Sequence, residues 1–257
     1  MANGGFPQMF DLSGRVAAVT GGNGGIGLGI ALGLAAAGAR IAILARNPEK
    51  NRAAVAEIEA NGGRAIAIAL DVTERAALKP ALAEVARALG PLDILVNNAG
   101  IALPGGALKL KAEAWDAVIE TNLNACFFLA QHAAESMAPR GAGKIINIGS
   151  EYSHFGNQIA PSYAASKGAL IQLTKSLAIE LAPHNIQVNA IVPGWIESEM
   201  TAPIKSRPFY DEILKRTPAG RFGTPAECAG AAIFLASHAA DFVTGATIFV
   251  DGGYAIR

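Results

Sequence analysis

The chain has 257 residues, about half of them apolar, with 21 basic and 21 acidic side chains and no formal net charge. That supplies apolar material for a sizeable core, and without a basic surplus or a run of like charge it offers no footing for nucleic acid or an anionic membrane. Two cysteines, Cys126 and Cys228, exclude a disulfide framework by count and read as buried reduced thiols.

The amino-terminal stretch MANGGFPQMFDLSGR carries neither a basic n-region nor an apolar h-region, so no leader is expected. No apolar stretch reaches bilayer-spanning length without charge or glycine, so the setting expected is cytoplasmic. The first strand is predicted over 15–20, running into the string TGGNGGIG and a helix over 25–37. A strand over 40–45, a helix over 49–61, a strand over 64–70 and a helix over 74–89 follow. The strand at 94–96 precedes one long helix over 112–137, then a strand over 144–148 and a helix over 161–181. A strand over 187–191, a helix over 225–236 and a strand over 247–250 complete the chain.

The strand runs are short and apolar without alternation, as parallel strands buried on both faces require. Helix starts carry capping or helix-opening residues, as at Thr73, Thr224 and Pro225. Strand–helix alternation throughout predicts a single-domain, doubly wound (Rossmann) α/β fold over 1–257, with about seven parallel strands and helices on both faces. One irregular segment, 195–223, is rich in proline and charge and is placed as a substrate lid after the sixth strand.

TGGNGGIG fits G-x-G-x-x-G as Gly22, Gly24 and Gly27, and also T-G-x-x-x-G-x-G as Thr20, Gly21, Gly25 and Gly27. Glycine suits this place because the turn needs dihedrals other residues resist. The backbone must also approach a pyrophosphate so that helix amides face its oxygens. A strand before and a helix after make the string a dinucleotide loop rather than a flexible turn.

Further on stand Asn97-Asn98-Ala99-Gly100, Ser150, Tyr163-x-x-x-Lys167 and Pro193-Gly194. Together with the glycine loop, in this order, they resemble the short-chain dehydrogenase/reductase family, and the resemblance runs from Leu12 to the Val250-Asp251-Gly252-Gly253 ending. It implies hydride transfer between a nicotinamide cofactor and a carbonyl or alcohol carbon, with Asn122, Ser150, Tyr163 and Lys167 as the catalytic set. Asn122 would hold a water that relays protons from Lys167; Asn124 is the lesser candidate. The resemblance also assigns Gly21, Asn23, Gly25, Ile26 and Gly27 to the cofactor's phosphates, and Asp71 and Val72 to its adenine. Asn98, Ala99 and Gly100 would line the adenosine side, with Pro193, Gly194, Ile196 and Ser198 at the carboxamide. Family members usually form dimers or tetramers, so a homotetramer is expected.

The tyrosine–lysine pair is adequate on magnitude. A free tyrosine ionises near pH 10 and is a poor base at neutral pH. An ammonium about 4 Å away favours the phenolate by about 4 kcal/mol at an effective dielectric near 20, which is what acid–base work near neutrality requires. Four-residue spacing on a helix puts both side chains on one face.

The second strand ends in Ala45-Arg46, where an NAD site would carry an acid. Arginine suits a 2′-phosphate, so NADP(H) is favoured, with NAD(H) as the alternative; a second basic residue in the glycine loop is missing, since Asn23 and Gly24 stand there. Glu151, His154 and Trp195 are expected around the substrate, with Asn157 and Gln158 near them and Lys205 and Arg207 on the lid within reach of a substrate carboxylate. Polar residues outnumber bulky apolar ones in these segments, which suits a small hydroxylated molecule. SYAASKGAL at 162–170 and RTPAGRFGTPAE at 216–227 resemble gluconate 5-dehydrogenases and keto-deoxygluconate dehydrogenases, but also 3-oxoacyl-carrier-protein reductases. The substrate expected is a sugar acid, keto-sugar or polyol; a 3-oxoacyl thioester and a non-catalytic nucleotide sensor are the alternatives. No metal site is expected.

Overall fold

The computed structural model describes residues 6–257. Residues 1–5, the start of the stretch read as carrying no leader, lie outside the described residues. Seven strands form one parallel sheet in the order β3-β2-β1-β4-β5-β6-β7. They are β1 (Val16–Thr20), β2 (Arg40–Ala45), β3 (Arg64–Ala69), β4 (Ile94–Asn97), β5 (Gly143–Ile148), β6 (Ile186–Pro193) and β7 (Thr247–Val250). The chain winds outward from β1 to β3 and then returns to β4 on the other side, which creates a crevice beyond the carboxyl ends of β1 and β4.

The principal helices are α1 (Gly25–Ala36), α2 (Pro48–Ala60), α3 (Arg75–Leu89), α4 (Gly106–Lys109), α5 (Ala112–Ile119), α6 (Ala125–Met137), α7 (Pro161–Leu181), α8 (Tyr210–Arg216) and α9 (Ala229–Ala236). Strand side chains alternate between faces. Val16 and Ala18 face a core built from α3, α6 and α7, whereas Ala17 and Val19 face one built from α1 and α9. Both faces are therefore dry, which is why the strand runs are apolar throughout.

Two predicted elements differ, and one short helix is added. The helix expected over 112–137 is broken by a π-helical turn at Glu120–Asn124. The π turn carries an extra residue, and Asn122 is bonded there to Ile101 and Ser166. The short helix α4 was not expected. The helix expected over 225–236 begins as a 3-10 turn at Pro225–Cys228 before α9. The irregular segment 195–223 leaves β6, bridges back on itself at Ile196 and Gly223, and contains a 3-10 turn and α8. Among the described residues no helix is long and apolar enough to cross a membrane, and no cluster of three or more His, Cys, Asp or Glu is placed to hold a metal. Both thiols are buried, which pushes each up to about 11.

Candidate active site

The glycine loop is tied to the turn after β4 by a compact set of hydrogen bonds. Thr20 Oγ1 accepts from the Asn98 and Ala99 amides at 2.9 and 3.0 Å. The Asn98 side-chain amide donates to the carbonyls of Thr20 and Gly21 at 2.9 and 3.2 Å. The two loops that face the crevice thus form one unit. Gly21 and Gly25 have φ of +60° and +50°, where only glycine is at ease. A Cβ on Gly27 would lie 2.3 Å from the Gly21 carbonyl oxygen, whereas one on Gly24 would meet nothing within 4 Å. Gly27 is therefore needed for loop–helix contact, and Gly24 keeps the mouth of the crevice clear.

Two adjoining cavities of about 300 and 320 Å³ extend along this loop. The first is lined by Arg46, Asp71, Val72, Ala99 and Gly100, the second by Gly25, Ile26, Gly27, Asn98 and Ser198, together with Tyr163 and Lys167. Gly21 and Asn23 line both. The cradle that only glycine backbone leaves open fits a dinucleotide pyrophosphate. Asn23 donates to Asn51 at 2.7 Å, so it braces the loop against α2. Arg46 stands 3.5 Å from Asp71 at the adenosine end. Burial raises the Asp71 pKa, but hydrogen bonds from Thr73 and the Arg46 charge outweigh it and hold the carboxyl below its ordinary value.

A second cation lines these cavities from outside the glycine loop. Lys50, on the first turn of α2, lines both cavities and bonds Glu199 of the lid at 2.6 Å. Its signal in the sequence was the four-residue spacing from Arg46 across a helix start.

A third cavity, of about 240 Å³, opens beside the second and is lined by Ser150, Glu151, Tyr163 and Trp195. Pro193, Gly194 and Ile196 form its floor at the end of β6. Gly194 is closely packed, since a Cβ there would sit 2.7 Å from Asp251 Cα. Ser150 caps a short 3-10 turn, its Oγ accepting from the Tyr152 amide at 3.3 Å. Lys167 is 4% exposed, and its ammonium donates to the Ile148 carbonyl at 2.7 Å while lying 5.8 Å from the Tyr163 ring centre. Tyr152 stacks edge-on against both Tyr163 and Trp195. Burial raises the Tyr152 pKa, so it stays a neutral phenol and is no rival to Tyr163 as a base.

Asn122 is fully buried. Its carbonyl oxygen accepts from the Ile101 amide at 2.8 Å, and its amide donates to Ile101 O and Ser166 Oγ at 2.9 and 3.1 Å. Both amide protons are used, so the side chain is a brace between the turn after β4 and α7. Asn124 instead donates to Glu120.

Several of the residues expected around the substrate lie away from this cavity. His154 is exposed and tilts onto Phe249 at 4.9 Å, because the 3-10 turn at Glu151–Ser153 carries it past the cavity. Lys205 is held by Glu197 at 2.7 Å, and neither it nor Arg207 lines the pocket. The pocket wall is chiefly apolar rather than polar, since Met200 and Ile204 of the segment after β6, Ile26 of α1, Pro193 and Ile196 line it. Trp195 keeps its place but leaves its buried indole N–H without a partner.

A glycine cradle at the switch point of a parallel sheet, leading to a pocket with a tyrosine beside a buried lysine, defines a nicotinamide-dependent oxidoreductase acting on a CH–OH group. The chain belongs to the short-chain dehydrogenase/reductase family, matching over residues 21–255 the family model described as enoyl-(acyl carrier protein) reductase. It is 42% identical over 251 residues to gluconate 5-dehydrogenase of Gluconobacter oxydans, covering 97% of this chain and 98% of that one. It is 44% identical over 256 residues to a galactitol 2-dehydrogenase (L-tagatose-forming) of Cereibacter sphaeroides, covering 98% and 99%. Among solved structures, a gluconate 5-dehydrogenase from Burkholderia cenocepacia in complex with NADP and tartrate superposes with a TM-score of 0.93 at 43% identity, covering 97% of this chain and 98% of that one.

Proposed function

We propose that this chain is an NADP(H)-dependent dehydrogenase that interconverts a secondary alcohol and a ketone on a sugar acid, keto-sugar or polyol. The observation that carries the reading is the meeting of Ser150, Tyr163 and buried Lys167 where the substrate-sized cavity joins the dinucleotide crevice. The relatives named for gluconate and galactitol support the substrate class. Arg46 and Lys50 at the adenosine end favour a 2′-phosphate over a bare ribose, and the neighbour solved with NADP supports this.

A nicotinamide held in this crevice would supply or take up the hydride. In reduction, Tyr163 donates the proton to the carbonyl oxygen, and Ser150 orients that oxygen. Lys167 favours the phenolate that remains and holds the nicotinamide ribose. Asn122 is a positioning residue: its side chain fixes the π turn, so any relay water rests on other atoms. Asp71 and Val72 hold the adenine, Asn98 to Gly100 the adenosine side, and Pro193, Gly194, Ile196 and Ser198 the carboxamide. Residues 1–257 act as one catalytic domain with the lid at 195–223. A cytoplasmic homotetramer is the assembly we favour, as the family resemblance suggests, and exposed apolar Leu108, Ile179 and Phe242 are available for contact.

The test follows nicotinamide absorbance with NADPH and NADH in parallel, on keto-sugar acids, ketoses and a 3-oxoacyl thioester mimic. The expected result is turnover of a sugar-derived ketone with NADPH, lost in Tyr163→Phe although that variant still binds NADPH. Turnover of the thioester alone, or full activity in Tyr163→Phe, overturns the reading.

A further inference from the structure

Glu151 is the least explained residue of the pocket. It is only 4% exposed, and among the described residues its carboxyl meets that of Asp251 and finds no other hydrogen-bond partner. It lines the cavity shared by Ser150 and Tyr163, and the unpartnered Trp195 indole N–H stands on the same wall. A buried indole N–H left open costs free energy unless a ligand accepts from it, and a carboxyl that gives its proton to Asp251 still has acceptor capacity to offer a ligand. Equally telling is what the wall lacks, since no Lys, Arg or His lines this cavity. The nearby cations are spent elsewhere: Lys205 is on Glu197, and Arg216 lies over the rings of Phe155 and Tyr254 with its Nε on the Arg257 carbonyl.

Resting on the function proposed above, we infer that Glu151 is a specificity-determining residue that selects an uncharged polyhydroxy alcohol or ketone over an aldonate. Substrate hydroxyls would complete the Glu151 carboxyl and the Trp195 N–H. A substrate carboxylate at this wall would lose its water without gaining a cation, which is costly. It would also face an acidic pair, because Asp251, anchored by the Gly253 and Ala255 amides at 2.9 and 2.8 Å, lies against Glu151. Burial, then the Asp251 charge and a hydrogen bond to Asp251, push the Glu151 carboxyl up to about 8, with the Arg216 charge opposing. The phenols of Tyr152, Tyr163 and Tyr254 complete the titratable surroundings. At neutral pH Glu151 is thus a carboxylic acid, able to donate one hydrogen bond and accept others.

The experiment compares kcat/KM for a polyol–ketose pair (galactitol and tagatose) with that for an aldonate pair (gluconate and 5-ketogluconate), using NADP(H), from pH 6.5 to 9. Both pairs share the Tyr163 chemistry, so the ratio cancels its titration and reports the wall. The expected ratio favours the neutral pair by about tenfold or more at pH 7, equivalent to about 1.4 kcal/mol, and climbs as pH passes about 8. In Glu151→Gln the ratio becomes flat with pH, because the isosteric amide cannot ionise. Preference for the aldonate, or a ratio that moves with pH in Glu151→Gln as in the wild type, overturns this inference alone. Failure to turn over either pair while NADPH binds overturns the proposed function with it.

Discussion

Glu151→Gln also tests the acidic pair through stability. The folded chain holds a proton on Glu151 up to about pH 8, whereas an unfolded chain releases it near the ordinary value of 4.5. Folding therefore takes up a proton throughout that window. The raised pKa stabilises the fold fully below pH 4.5, and this advantage drains away as pH rises through about 8, beyond which the loss is complete. Each tenfold change in the proton equilibrium is about 1.4 kcal/mol, so the whole window amounts to roughly 3–5 kcal/mol. Glutamine keeps the volume and can still donate to Asp251, but has no proton to lose. Urea unfolding of both proteins at pH 5 and pH 8.5, without cofactor and at fixed protomer concentration, should show Glu151→Gln gaining roughly 3–5 kcal/mol relative to the wild type across the interval. A stability difference that does not change with pH would refute the reasoning, because the carboxyl would then be ionised in the folded chain.

Three other substitutions probe the site. Arg46→Ala removes a charge-assisted contact worth roughly 1.5–3 kcal/mol, so KM for NADPH should rise by one to two decades while KM for NADH barely moves; equal effects on both would deny Arg46 the 2′-phosphate. Gly27→Ala places a Cβ 2.3 Å from Gly21 O and 2.4 Å from Asn98 Nδ2. That overpacking should cost roughly 1–3 kcal/mol in thermal unfolding and weaken dinucleotide binding measured by fluorescence, and intact binding would show that the cradle is not the pyrophosphate site. Asn122→Ala breaks three hydrogen bonds and leaves the Ile101 amide without its partner. A loss of roughly 2–4 kcal/mol in chemical denaturation is expected, with kcat falling further than KM changes, and unchanged stability would contradict the bracing role.

What the sequence disclosed depended on how local each cause is. All seven strands were legible because burial on both faces makes each a continuous apolar run, visible within the run itself. The glycine loop was legible because strand, turn and helix are consecutive. The π turn was not, because a single inserted residue leaves the apolar spacing of 112–137 nearly helical; its cause is Ile101, 21 residues away in sequence. Glu151 was placed at the pocket, but its protonation depends on Asp251, far along the chain at the end of β7. His154 was misplaced because one 3-10 turn decides which of two nearby residues faces inward. Lys50 is hard to single out in the sequence because charge on the first turn of a surface helix is common and only the fold shows which crevice it overlooks.

Tyr163 sits on a helix whose apolar burial alone would leave it free to slide or roll, since hydrophobic contact is non-directional. Polar links along one face of α7 remove that freedom. Ser166 Oγ accepts from Asn122 and donates to the Tyr163 carbonyl, Lys167 donates to Ile148 O, and Thr174 Oγ1 accepts from Asn147, which in turn accepts from Asn97 at 2.9 Å. Residues 163, 166, 167, 170 and 174 follow the three-and-four spacing of a single helix face. The links reach β4, β5 and the π turn, so they fix both the height and the rotation of α7 relative to the carboxyl edge of the sheet. Buried polar groups contribute little net stability when paired but cost much when unpaired, so any other register of α7 strands several of them at once. The tyrosine is thus placed by the penalty for every alternative position, which holds a reacting oxygen to hydrogen-bond precision on a scaffold that apolar packing alone would leave loose.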